Sequence, residues 1–198
     1  KVLRRGGFFG PNASGKSSFI ESIDFARDYI VDGQKSGKGT GVKQFRGDFE
    51  DLEGISSFQF MFYLEGEVYE YGFSLDRRQV HEEWLMQLTE KDIEPLFTRV
   101  TDENGKTTIE IESRFARNKS KDRMLADVLK ESIQESQKNQ LFLYKLYDNG
   151  IKKAEKIVQW FKNLQVIFPE TTVQALPIRM KADEDLRNYI ARMLDKMD

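Results

Sequence analysis

The chain has 198 residues, with 31 basic against 33 acidic side chains and a net charge of −2, so no global field marks it as a nucleic-acid or membrane binder. It has no cysteine, which excludes disulfides and thiolate metal sites and fits a reducing, cytoplasmic setting. No apolar run approaches the roughly 18 residues that span a bilayer, and the length allows one large domain or a lobe with an insertion.

Lys1 to Phe9 is expected to form a strand, with Gly7-Phe8-Phe9 its buried end, although Gly6-Gly7 weakens it. It feeds Gly10-Pro11-Asn12-Ala13-Ser14-Gly15-Lys16-Ser17-Ser18, which satisfies G-x-x-x-x-G-K-[ST], the phosphate-binding Walker A spacing. Gly10 and Gly15 allow the close approach and backbone angles that turn successive N–H groups around phosphate oxygens. Lys16 supplies a mobile charge for the β- and γ-phosphates, and the Ser17 hydroxyl is placed to ligate Mg²⁺. The nucleotide-binding residues are therefore Gly10, Asn12, Ala13, Ser14, Gly15, Lys16, Ser17 and Ser18, with ATP and Mg²⁺ as cofactors. Average usage makes a chance match about a one-in-a-hundred event, and the following residues support the motif. Phe19, Ile23, Ala26 and Ile30, with Ile20 and Tyr29, recur at helical spacing, so the helix dipole points at the same anion.

Residues 32–41 are rich in glycine and lysine and read as a mobile connection. Gly37-Lys38 is not a second phosphate loop, because neither a strand nor helical periodicity flanks it. From Ser57 the period becomes two. Phe58, Phe60, Phe62 and Leu64 begin an antiparallel meander that continues through 68–75, 79–88, 95–101 and 107–112, with turns at Glu65-Gly66, Asp76-Arg77-Arg78 and Asn104-Gly105. Its aromatic residues read as core rather than as an adenine platform. His81 reads as solvated or structural.

Arg114, Arg117, Lys119, Lys121 and Arg123 form the best local candidate for a phosphate-backbone contact, against the plainer reading of a solvated loop entering a helix. Met124, Leu125, Val128 and Leu129, then Leu141, Phe142 and Leu146, predict helices broken near Asn149-Gly150; Ala154, Ile157, Val158 and Phe161 begin the next. Leu186 to Met197 predicts a last amphipathic helix capped by Asp183. The division is a nucleotide-binding lobe over 1–113 and a mainly helical insertion or arm over 114–198. The nearest imitation of an apolar run ending in Asp-Glu, Val166-Ile167-Phe168-Pro169-Glu170, has proline where the aspartate belongs. No catalytic residue is assigned, since neither that Walker B run nor a Leu-Ser-Gly-Gly signature is present.

The loop, with Asn12 where ring-forming AAA+ motors carry a second proline, resembles that of ABC, SMC and DNA-repair ATPases. Together with 69–76, Glu83-Trp84-Leu85, Leu96-Phe97-Thr98-Arg99 and 160–167, it is similar to bacterial ABC-like AAA family ATPases of the OLD and abortive-infection type. The resemblance implies an α/β P-loop NTPase fold of ABC-like type, here an N-terminal portion with an antiparallel meander and helical insertion, the second half being absent. It implies an ATP hydrolase acting as a conformational switch in phage defence or DNA-related work, a homodimer closing over the nucleotide, and nucleic acid or an effector protein as partner. The alternatives are an ATP-binding scaffold without turnover and a P-loop kinase of a small molecule; the kinase would carry an Arg-rich lid where this chain has a meander.

Overall fold

The alternation of rings and polar side chains between Ser56 and Ile111 sets the architecture. The computed structural model describes residues 9–12, 14–35, 37–43, 54–89, 92–166 and, beyond them, 181, 184, 187, 188, 191 and 192. The chain divides after Gln165. Strands β1 (Ser56–Leu64), β2 (Glu67–Leu75), β3 (Val80–Leu88), β4 (Ile93–Thr101) and β5 (Thr107–Ile111) form one antiparallel sheet in sequential order, the meander that the period-two pattern predicts. Glu65 and Gly66, both at positive φ (51° and 94°), close the first hairpin, as a tight two-residue turn requires. Pro95 sits in β4 beside the register shift between Leu85 and Met86, where its missing N–H costs the ladder least.

Register puts one face of the sheet in the core. Phe60, Tyr71, Leu85, Phe97 and Ile111 align across all five strands, beside a second row of Phe58, Phe73, Glu83, Arg99 and Ile109. Helices α1 (Lys16–Asp32), α2 (Lys121–Ser136), α3 (Phe142–Asp148) and α4 (Lys152–Asn163) pack against it and against one another. In α4, Ala154, Ile157, Val158 and Phe161 are all buried, as their i, i+3, i+4, i+7 spacing predicts. Phe161 meets Phe60 edge-on at 5.2 Å between ring centroids, and Trp160 stacks on Phe62 at 4.6 Å. Phe97 meets Phe142 at 5.2 Å with the rings perpendicular. These rings are core, where each fully buried side chain contributes about 1.5–3 kcal/mol.

Several expectations change. Phe9 is 97 % exposed and lies in no strand; its predecessors fall outside the described residues. It belongs to no strand of the described sheet. Helix α1 buries only its C-terminal half through Ala26, Tyr29 and Ile30, whereas Phe19 is 45 % exposed. In α2 the buried stripe is Ala126, Leu129 and Ile133, and Met124 and Val128 face solvent. Only one side of that helix meets β5 and α3.

The connection after α1 is tied down rather than mobile. The Asn139 side-chain amide donates to the carbonyls of Lys35 and Lys38, Gln34 N–H donates to Gln140 Oε1, and Thr40 N–H donates to the Arg77 carbonyl. Thr40 is fully buried. Composition concealed this because the partners lie about a hundred residues away in sequence.

Beyond Gln165, Lys181, Glu184, Arg187, Asn188, Ala191 and Arg192 are helical and exposed. The predicted cap Asp183, the apolar positions from Leu186 to Met197, and Ile167 to Glu170 lie outside the described residues.

Candidate nucleotide site and the polar hub behind it

Gly15 caps α1 in the left-handed conformation (φ 86°, ψ 6°), which a residue with a Cβ adopts only at a cost. No side chain caps the helix and its first turn holds no acidic residue. The N-terminal N–H groups and the positive end of the helix dipole therefore face solvent without a built-in counter-charge. Lys16 sits in this first turn. Its Nζ donates to the carbonyls of Gly10 (2.7 Å) and Pro11 (2.6 Å) and to Ser14 Oγ (3.2 Å), folding the loop back on the helix start. A Cβ on Gly10 would lie 2.7 Å from Ser14 Oγ, so a larger residue there would make the Ser14 side chain turn away.

Gly10, Asn12, Ser14, Gly15, Lys16, Ser17 and Ser18 are all exposed on this one turn; Ala13 lies outside the described residues. The hydroxyls of Ser17 and Ser18 have no hydrogen-bond partner among the described residues. Such a donor set fits a polyphosphate. A single serine hydroxyl at a helix start fits Mg²⁺, which keeps most of its waters and takes few protein ligands. Among the described residues, no group of three or more His, Cys, Asp or Glu side chains could hold a metal.

The far half of α1 ends in a buried polar hub absent from the sequence reading. Glu83 and Arg99, opposite each other on β3 and β4, are 0 % and 1 % exposed, with Arg99 Nη1 3.6 Å from Glu83 Oε2. The Glu83 carboxylate accepts from the Tyr71 hydroxyl (3.0 Å) and from the N–H groups of Phe142 (2.7 Å) and Leu143 (2.9 Å). Arg99 donates to the carbonyls of Gln140 (2.5 Å) and Lys138 (2.9 Å), and the Tyr29 hydroxyl of α1 donates to that of Asn139 (2.5 Å). Burial pushes the Glu83 carboxyl above its usual range against the pull of Arg99 and those amides. Burial likewise raises the Tyr71 hydroxyl and lowers the Arg99 guanidinium. The signal that would have found the pair is positional: Glu83 shares the inner alternation with Leu85, and Arg99 with Phe97.

His81 is structural. Its Nε2 lies 3.0 Å from Asp76 Oδ2, while Asp76 Oδ1 accepts from the N–H groups of Arg78 and Gln79 to shape the β2–β3 turn. In the basic run, Arg114 pairs with Glu94, and Arg123 bonds Asp127 (3.1 Å) and the Ile111 carbonyl (2.6 Å). Only Arg117, Lys119 and Lys121 of that run are left exposed without such pairing.

A glycine-started, uncapped helix with a lysine in its first turn, set on a mixed α/β unit, is the arrangement of a nucleotide-binding ATPase domain. The chain belongs to the family described as "AAA domain, putative AbiEii toxin, Type IV TA system", whose profile matches residues 7–149. That family is one of AAA ATPases, which use a nucleotide and usually Mg²⁺. No curated protein and no solved structure matches the chain. No helix among the described residues is long and apolar enough to cross a membrane.

Proposed function

We propose that this chain is the ATP-binding part of an ABC-like P-loop ATPase that uses its nucleotide cycle as a conformational switch, in phage defence or DNA-related work. One observation carries the reading: an exposed helix start that no side chain among the described residues caps, begun by Gly15 and furnished with Lys16 and two serine hydroxyls unclaimed among those residues. The amides from Gly10 to Ser18, those of Asn12, Ala13 and Ser14 included, surround the phosphates. Lys16 exchanges its loop carbonyls for the β- and γ-oxygens, and Ser17 takes one Mg²⁺ position. The functional division falls at 113/114, the loop, α1 and the sheet before it and α2, α3 and α4 after it.

Family membership supports the nucleotide. Dimerisation through the nucleotide site, and nucleic acid or an effector protein as partner, rest on the resemblance of the loop to ABC and SMC ATPases. Helix α1 is the lever of the switch, since its first turn meets the nucleotide and Tyr29, three turns on, is bonded into the hub.

Phosphate release by the intact protein that carries this chain, measured with ATP and Mg²⁺ in the presence and absence of DNA, tests the proposal. Slow turnover that Ser17→Ala abolishes supports the switch. Tight ATP binding with no turnover in either condition would make the chain a scaffold. Accumulation of a phosphorylated metabolite in place of free phosphate would make it a kinase.

A further inference from the structure

At the end of α1 remote from the loop, three segments distant in sequence meet around a cavity of about 370 Å³. Residues 37–39 contribute Lys38, the β2–β3 turn contributes Arg77 and Arg78, and the end of α2 with its following linker contributes Lys138 and the one facing carboxylate, Glu135. With 17 residues at about 1.5 Å each, α1 separates this cavity from Lys16 by roughly 25 Å.

Four cations gathered against one carboxylate repel one another, whereas several cations elsewhere on the surface are paired. Arg27 is paired with Asp24 and Asp28, Arg123 with Asp127, and Lys156 with Glu65. Here the side chains of Lys38, Arg77 and Arg78 make no hydrogen bond or ion pair among the described residues, and Lys138 donates only to the Gly105 carbonyl. The backbone that presents them is fixed by buried polar groups. Asn139, 5 % exposed, donates to the carbonyls of Lys35 and Lys38; the fully buried Thr40 donates to those of Arg77 and Asp76; and Asp76 accepts from Arg78 N–H. The arrangement is thus preorganised yet unneutralised, which favours an oligoanion over a single carboxylate.

We infer that this cavity is a second, independent binding site for consecutive phosphate groups, such as a free polyphosphate or the backbone of a nucleic-acid strand presents. It does not depend on the ATP reading of the loop. It is no second phosphate loop either, since the cations come from side chains of three segments and not from the amides of a helix start.

The test uses the full chain in a Lys16→Ala background, so that the loop does not compete, with two probes: sodium tripolyphosphate and a fluorescein-labelled single-stranded oligonucleotide. The site predicts that Arg77→Ala/Arg78→Ala weakens the probe that binds by tenfold or more, reduces a single-stranded oligonucleotide's salt slope by about 1.4, and leaves melting temperature unchanged. Arg77→Lys/Arg78→Lys should restore most of the affinity. Binding of tripolyphosphate identifies a free polyphosphate as sufficient; binding of the oligonucleotide alone identifies the strand. If neither probe binds at low salt, or if the double alanine variant binds both as well as its parent, the inference is overturned.

Discussion

Positions 15 and 10 favour glycine to different degrees. Nothing lies within 4 Å of a Cβ built on Gly15, yet its φ of 86° penalises any L side chain. At Gly10 a Cβ would stand 2.7 Å from Ser14 Oγ and would turn that side chain aside. Gly15→Ala should therefore cost about 1–2 kcal/mol through backbone strain alone, seen as a lowered melting temperature; an unchanged one would mean the left-handed start is not held. Asp76 supports a prediction with a pH sign. Burial raises its carboxyl, but the N–H groups of Gln79 and Arg78 and the His81 ring outweigh this and leave it below its usual 3.8. A depressed carboxyl stabilises the fold above its unfolded value and loses that contribution as pH falls through the folded one. Asp76→Ala should thus cost about 1–2 kcal/mol at neutral pH, and the gap from wild type in urea titrations should narrow below pH 3.8.

Among the elements, β3 and β4 carry the feature on which the interior is most exacting. Glu83 and Arg99 are buried together and hold the 138–143 segment through four hydrogen bonds, two from amides to the carboxylate and two from the guanidinium to carbonyls, while the Tyr71 hydroxyl donates a further bond to the carboxylate. Glu83→Ala strands the guanidinium and should destabilise by about 3–5 kcal/mol, whereas Glu83→Met/Arg99→Met should recover much of that loss. Chemical denaturation of the two variants checks this; equal loss in both would show that the pair itself, and not a stranded charge, matters. The strands themselves were legible because one residue in two is a ring or branched chain from Phe58 to Leu64, and α4 because its apolar positions keep strict helical spacing. The hub was not legible, because a charged residue at an inner strand position looks like a solvent-facing one until its partner is known. The tether on residues 34–40 was hidden for the same reason: Asn139 and Gln140 lie far off in sequence. In α2, Met124 and Val128 mimic a buried pair at i, i+4, and only packing on β5 shows that the other side is covered.

At the scale of the unit that ends at Gln165, α1 runs from an exposed loop to a buried polar hub. The loop was singled out by its spacing alone, since the chemistry of phosphate binding asks for glycine, lysine and serine at set positions, and all of its assigned residues but Ala13 are among those described. The basic cavity at the other end of α1 was not, because its residues come from three separate turns. The proposed switch depends on the loop holding a nucleoside triphosphate. The most direct measurement is the equilibrium affinity of the full chain for a fluorescent ATP analogue with Mg²⁺, in wild type and in Lys16→Ala. Loss of one charge-assisted contact should weaken binding ten- to hundredfold, with the melting temperature of the nucleotide-free protein little changed; equal affinity in the two proteins would contradict the account.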